Sequence, residues 1–313
     1  MGHPIKVETV TFKNFLTVKL RDGEMWFAND RDLQEIFLGY VAKYQNKYNV
    51  VIYGIAIEGN HYHILAHFPE GNRASFMRAL GSRIAKTIKK KRGEVRKGSV
   101  FESRYDCRYL VDDSSVQDKF FYTVLQPVQD GLVKRIEDYP GYNCFYDAVN
   151  CETIQYWVFN GTEYYRASRW GAKVNPADFY DDYYLEFSRL PGYENLSDEE
   201  YRKLMKKLLD EYTQRAVEKR EAKGKKGFVG KERLKEVKPG TPAKSVKVTE
   251  PKGVEALFLC NDKKLKREVV EWYKGVRENH RTKSLQYIKG KVDVTFPPGT
   301  YKPPVWTSKG YFP

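Results

Sequence analysis

Residues 50–57 and 62–68 are two short apolar runs parted by Glu58-Gly59-Asn60. Such runs broken by a turn read as neighbouring buried strands in a tight hairpin. Side chains two apart on a strand share a face. His61 and His63 therefore project side by side, while Tyr62 points into the opposite layer. Upstream, Val7 to Leu20 alternates loosely and predicts a first strand ending at Arg21-Asp22-Gly23. Asn29 or Asp30 offers an N-cap, and Leu33, Ile36, Phe37, Tyr40 and Val41 recur at helical spacing, predicting a helix to about Tyr48. After the turn Pro69 to Asn72, the positions Phe76, Met77, Leu80, Ile84 and Ile88 mark the buried face of a second helix, about Arg73 to Lys91. Arg104 to Val111 predicts another strand. A third helix starts near Asp112 to Ser115 and ends at Gln126-Pro127. The order strand, helix, strand, strand, helix, strand is that of a split βαβ sandwich. The expected fold class is α+β: a ferredoxin-like, RRM-like antiparallel sheet with helices on one face and the other face left for ligand.

Past Gly131 the pattern weakens. Aromatics crowd Tyr142 to Tyr193, among them Tyr156, Trp157, Tyr164, Tyr165, Trp170, Tyr180, Tyr183 and Tyr184. Leu196-Ser-Asp-Glu-Glu200 is a capping-box signal for a helix to about Ala222, with Tyr201, Leu204, Leu208, Leu209 and Tyr212 inward. Gly224 to Gly253 is rich in Lys, Gly and Pro and reads as a solvated linker. A helical segment over about Lys263 to Tyr287 precedes the Pro-rich stretch Phe296 to Pro304. The division that follows is 1–150 for the sheet domain and 151–223 for an aromatic-rich segment and helix packed on it. A basic linker, 224–253, and a mainly helical and irregular C-terminal extension, 254–313, complete it.

Charge narrows the partners. The 313 residues carry 55 Lys and Arg against 41 Asp and Glu, a formal net charge of +14, and aromatic content is 15%, with 24 Tyr. A cationic surplus suits nucleic acid or a membrane surface; joined to abundant Tyr it favours a polynucleotide, whose bases stack on rings while cations hold its phosphates. No apolar run approaches the roughly 20 residues of a membrane span, and the N-terminal residues lack a signal-peptide core. The expectation is a cytoplasmic protein without membrane partners. Cys107, Cys144, Cys151 and Cys260 form no CxxC pair and read as reduced packing residues.

Paired imidazoles on one strand face can hold a divalent metal with positions left open for substrate. Tyr122 and Gln126 are four apart, hence on one face of the third helix. Pro127 disfavours helical geometry at the residue before it, which puts Gln126 in the last turn, its amide oxygen able to reach a metal. Tyr122 would then present its hydroxyl to a phosphate there; the alternative makes it a core aromatic beside Phe120 and Phe121. His67 has the parity of His63 but lies about 13 Å further along the strand, so it reads as a strand-end polar residue. His3 and His280 stand alone. Glu58, Asp106 and Asp112 each have a place near the site, with nothing in the sequence to prefer one.

Taken together, Asn60-His-Tyr-His63, Gly98-Ser-Val-Phe-Glu-Ser-Arg-Tyr105, Tyr122-Thr-Val-Leu-Gln-Pro-Val-Gln-Asp-Gly-Leu-Val133 and Glu137-Asp-Tyr-Pro140 resemble the HUH endonucleases, and within them the REP-associated tyrosine transposases of the IS200-like group. The order and spacing agree over about residues 5–150, which would be the single-tyrosine catalytic domain. The resemblance implies His61, His63 and Gln126 as ligands of one divalent metal, Mg²⁺ or Mn²⁺, and Tyr122 as nucleophile. The commoner pattern is Tyr-x-x-x-Asn-Pro; Gln is the third ligand in related insertion-sequence transposases, so the amide oxygen is expected to bind here too. Gln129-Asp130 replaces the more usual Arg-Ala. Ligand softness alone would also permit Zn²⁺.

The implied reaction is cleavage and rejoining of single-stranded hairpin DNA, REP-like in sequence, through a 5′-phosphotyrosine, in a bacterial protein that is nucleoid-associated when bound to DNA. The alternatives are a domesticated DNA-binding or regulatory protein that no longer cuts, or a rolling-circle initiator or relaxase; no Walker A motif is present. For the DNA surface the sequence points to Arg83, Lys86, Lys89, Lys90, Lys91 and Arg92, continuing into Arg96 and Lys97, and to Arg104, which leads into the strand beside the site. Lys223, Lys225, Lys226, Lys231 and Arg233 either clamp DNA or keep the linker solvated. A monomer or homodimer is expected.

Overall fold

The computed structural model describes residues 4–93, 98–169, 171, 173–225, 227–243, 253–307 and 310–312. Its central order is β1 (Lys13–Lys19), α1 (Arg31–Tyr48), β2 (Val51–Glu58), β3 (His61–His67), α2 (Arg73–Arg92) and β4 (Asp106–Leu110). There follow α3 (Asp113–Val124), α4 (Gln126–Gln129), α5 (Phe145–Val149), β5 (Thr153–Phe159), α6 (Gly161–Ser168), β6 (Tyr180–Glu186), α7 (Asp198–Glu221), α8 (Lys231–Lys235), β7 (Phe258–Leu259), α9 (Lys263–Ile288) and a terminal pair, β8 (Val305–Thr307) and β9 (Gly310–Phe312). The main sheet runs β2-β3-β1-β4-β7. Its first four strands are antiparallel neighbours, as a split βαβ unit requires, and β7 adds a parallel edge to β4. The α+β expectation holds, with a mixed rather than wholly antiparallel sheet.

The local reasons are those the sequence offers. The Asp30 side chain accepts from Leu33 N at the start of α1, and Asn49 ends that helix in the left-handed region, φ 48°. The reciprocal Ser197–Glu200 capping box opens α7. The two faces of the sheet then receive different partners. Tyr62 meets Phe37 and Phe27 of the α1 layer, with ring centroids 4.6 and 6.1 Å away, and Phe68 meets Phe76 of α2 at 5.6 Å.

The opposite face carries α3. A Cβ on Gly54 would come within 3.2 Å of the Phe120 ring, so the absent side chain is what lets α3 lie close on β2. Phe120 and Phe121 are buried, each stabilising the fold by about 1.5–3 kcal/mol. The helices thus do not keep to one side, and the second face is half covered.

The aromatic-rich segment forms a two-stranded ribbon, β5 with β6, laid on α1. Gly39 permits the approach: its Cβ would sit 3.1 Å from Val158. Gln45 donates to Glu186 O and accepts from Glu186 N. The ribbon's inner face packs, while Trp157, Tyr180 and Tyr184 face outward. Trp170 lies outside the described residues, as does His3.

The expected solvated linker is corrected over its described part. Residues 227–243 run along the body as a strap. Val229 N donates to Gly131 O at 3.0 Å and Gly230 N to Leu132 O at 2.9 Å; Asn29 Nδ2 donates to Leu234 O and Val237 O, both at 2.8 Å; Met25 N donates to Thr241 O at 2.8 Å. The C-terminal extension is likewise built in. Phe258 of β7 stacks on Tyr109 at 5.1 Å, and the Tyr273 hydroxyl of α9 donates to Ile5 O at 2.8 Å.

Candidate functional site

The pairing register lays out the α3 face of the sheet as rows. One row is Glu58, His61 and Lys19; the next is Ala56, His63, Thr17 and Asp106; the third is Gly54, Leu65, Phe15 and Arg108. The two imidazoles stand as parity requires, ring centroids 5.0 Å apart and nearly perpendicular. His63 is buried, its ring stacked on Phe15 at 4.9 Å.

Hydrogen bonds set which nitrogen each ring leaves for a ligand. His61 Nδ1 lies 2.7 Å from the Asn60 amide oxygen, an acceptor only, so Nδ1 carries a proton and Nε2 is the nitrogen turned away from Asn60. His63 Nδ1 lies 2.9 Å from the Thr17 hydroxyl, and its Nε2 is buried with no hydrogen-bond partner. Burial, then the positive potential of His61, Lys119 and Lys19, holds the His63 pKa well below its usual value. It is neutral at pH 7, the form that binds a metal. Glu58, directly across from His61, is buried too, and its Oε2 is 3.8 Å from His61 Nε2.

Above these rows runs α3, capped by Asp112, whose side chain accepts from Ser115 N. Tyr122 is half-buried. Its ring meets Phe15 edge-on at 5.7 Å and His63 at 6.0 Å, and the Lys119 ammonium lies 4.1 Å from its centroid. Tyr122 is thus neither sunk in the core with Phe120 and Phe121 nor fully exposed.

Gln126 is not in the last turn of α3. The helix breaks at Leu125, and Gln126 begins α4 with Pro127 beside it, where a missing N–H costs nothing because first-turn donors have no intrahelical partner. Gln126 Nε2 donates to Asp130 Oδ2 at 3.1 Å, and the amide is among the groups that favour the Tyr122 anion. Gln126 Oε1 is buried with no partner. The Tyr122 pKa is raised, chiefly by burial and then by Asp130, with Glu58 adding to the rise, while Gln126 and Arg108 oppose it.

Comparison with known proteins bears on the same stretch. Residues 16–119 match the family described as Transposase IS200 like. That third of the chain is similar to the IS200-like transposases. The match ends three residues before Tyr122, so the nucleophile and third-ligand assignments rest on motif and geometry. One solved structure that the chain resembles is described as "Structure of the REP associates tyrosine transposase bound to a REP hairpin"; it is 16% identical with a TM-score of 0.40, over 47% of this chain and 84% of that one. No curated protein matches the chain.

Within and beyond the IS200-like segment, the expected DNA-binding residues fall in two places. Arg83, Lys86, Lys89, Lys90, Lys91 and Arg92 all lie on α2, in the layer opposite the imidazoles. Three of them are engaged in the fold: the Arg83 guanidinium lies 5.8 Å from the Tyr40 ring centroid. Lys91 pairs with Asp30, and Arg92 pairs with Glu24 beside the Trp26 ring. Arg104 is exposed just before β4, while Arg96, Lys97 and Lys226 lie outside the described residues.

The cations the register brings nearer the site are Lys19, Lys119 and Arg108. The sequence held clues to them: Lys19 has the parity of Phe15 and Thr17, Lys119 is one turn before Tyr122, and Arg108 sits mid-strand. Among the other candidates, His67 bonds to Val10 O at 2.7 Å and His280 to Tyr301 O at 2.9 Å, structural roles both. Among the described residues no helix is long and apolar enough to cross a membrane.

Proposed function

We propose that the protein is a metal-dependent single-strand DNA endonuclease and strand transferase of transposase type, with Tyr122 as nucleophile. The observation that carries this reading is the pair of buried, unpartnered atoms beside Tyr122, namely His63 Nε2 and Gln126 Oε1. An unsatisfied polar atom in the interior costs about 1–3 kcal/mol, and two beside one half-buried phenol fit the inner side of a cation site. Among the described residues no three His, Cys, Asp or Glu side chains are arranged to hold a metal by themselves. The donor set supported here is therefore His61, His63 and the Gln126 amide, with Mg²⁺ or Mn²⁺ as the ion, and the family match over residues 16–119 supports the transposase role.

When bound, a divalent cation would offset charge developing on the phosphate oxygens. The protein's own groups do the rest. Thr17 and Asn60 fix the imidazole orientations. Gln126 favours the Tyr122 anion, and Lys119 and Arg108 bring positive charge to the same corner. Tyr122 gives its proton to solvent as its oxygen attacks phosphorus, the bond to the departing 3′-oxygen breaks, and that oxygen leaves as a hydroxyl after taking a proton from solvent, while the 5′-phosphate stays on the tyrosine. A 3′-hydroxyl reverses the step and rejoins DNA without a nucleotide cofactor. The hairpin character of the substrate is what the resemblance to the REP-associated tyrosine transposases implies.

The test is incubation of labelled single-stranded hairpin DNA with protein and Mn²⁺, followed by denaturing electrophoresis. An SDS-resistant adduct that disappears in Tyr122→Phe while DNA binding persists supports the enzyme. A wild-type protein that binds DNA yet never links to it sinks the proposal in favour of a binding module.

A further inference from the structure

We propose that Asp130 is a positioning residue that holds the nitrogen of the Gln126 amide and so leaves its oxygen free for the cation. The inference rests on the reading of Gln126 as a ligand and deepens it. An amide side chain has two faces that differ only in which atom they present, and its neighbours decide the orientation. A carboxylate only accepts hydrogen bonds. With Asp130 Oδ2 at 3.1 Å, Gln126 must turn Nε2, not Oε1, toward it. The amide oxygen is left buried and unpartnered.

Backbone geometry makes the pairing local. Gln126 and Asp130 are four apart, and Asp130 N donates to Gln126 O at 2.9 Å, closing the turn that α4 begins. Side chains four apart on a helix meet.

The experiment measures Mn²⁺ affinity by calorimetry in the full chain, with thermal melting as the check on folding. Wild type, Asp130→Ala, Asp130→Asn, Gln126→Ala and the double variant Q126A/D130A are compared. Loss of an outer hydrogen-bond partner typically weakens metal binding by about tenfold or more, and Asp130→Ala is expected to do so. Asp130→Asn keeps an acceptor oxygen and should retain more affinity than the alanine variant. The double variant should bind no more weakly than Gln126→Ala alone, since Asp130 supports the ion through that amide; a general structural role would add its own loss. If Gln126→Ala weakens binding while both Asp130 variants match wild type, or if the two losses simply add, the positioning role is overturned and the ligand reading stands. If Gln126→Ala leaves Mn²⁺ affinity unchanged, the ligand reading falls and this inference with it.

Discussion

The two faces of the central sheet solve the same burial problem in different ways. On the α1 and α2 side, Tyr62, Phe27, Phe37, Phe68 and Phe76 interlock ring against ring. Three polar atoms there are buried without a partner, the Tyr62 hydroxyl, Asn72 Oδ1 and Arg92 Nε, and they are set apart, on β3 and at the two ends of α2. On the α3 side, unpartnered atoms of His63 and Gln126 flank a half-buried phenol, with Lys19, Lys119, Arg108, Glu58 and Asp130 around it. Orphaned groups scattered singly are modest costs that the rest of a core absorbs. Several of complementary chemistry on one spot, each aimed by its own hydrogen bond, are what a site looks like before its ligand arrives.

The sharpest break in this comparison comes from matched tyrosines. Tyr122→Phe should abolish the covalent DNA adduct, a loss on the order of 10³-fold or more, with little change in melting temperature because the ring contacts with Phe15 and His63 remain. Next in size, Phe37→Ala on the sealed face should lower unfolding free energy by about 3–5 kcal/mol, read by urea titration, while adduct yield per folded molecule stays at the wild-type level.

Where the sequence led and where it stopped follows from what each signal encodes. Strand parity placed His61 and His63 on one face, and four-residue spacing placed Tyr122 with Gln126, because both depend only on local geometry. The boundaries of α1, α2 and α7 were legible for the same reason, through caps at Asp30 and Ser197. Cross-strand register is not local. Glu58 comes opposite His61, and Arg108 opposite Phe15, only once the pairing is known. Nor does helical periodicity say which side of a sheet a helix takes, so α3 on the second face was not foreseen. The strap of residues 227–243 was misread because its Lys, Gly and Pro content describes side chains, whereas backbone bonds to Met25, Gly131 and Leu132 hold it.

A smaller effect tests how α3 is anchored over its face. Asp112 caps α3 and also accepts from the backbone of Asn261 and Asp262, tying the C-terminal extension to the same helix end. Burial pushes its pKa up, yet hydrogen bonds from Ser115, Cys260 and Asp262 outweigh that, and it falls from 3.8 to about 2. The folded carboxyl is the stronger acid, so its contribution is complete above pH 3.8 and is lost as pH falls through about 2. Asp112→Ala should cost about 1 kcal/mol at pH 7, and the gap between the two proteins should close in melts taken from pH 4 down to pH 2. The smallest effect is expected for Tyr62→Phe. Removing the isolated hydroxyl should leave stability unchanged or raise it by about 1 kcal/mol, and leave adduct formation untouched.

The most direct measurement is mass spectrometry of the protease-digested protein after reaction with a single-stranded hairpin oligonucleotide, with Mn²⁺ in one sample and EDTA in the other. The account predicts a nucleotide-bearing peptide whose modified residue is Tyr122, present with Mn²⁺ and absent with EDTA. Attachment at another residue, equal yield in both samples, or no attachment alongside retained DNA binding would contradict it.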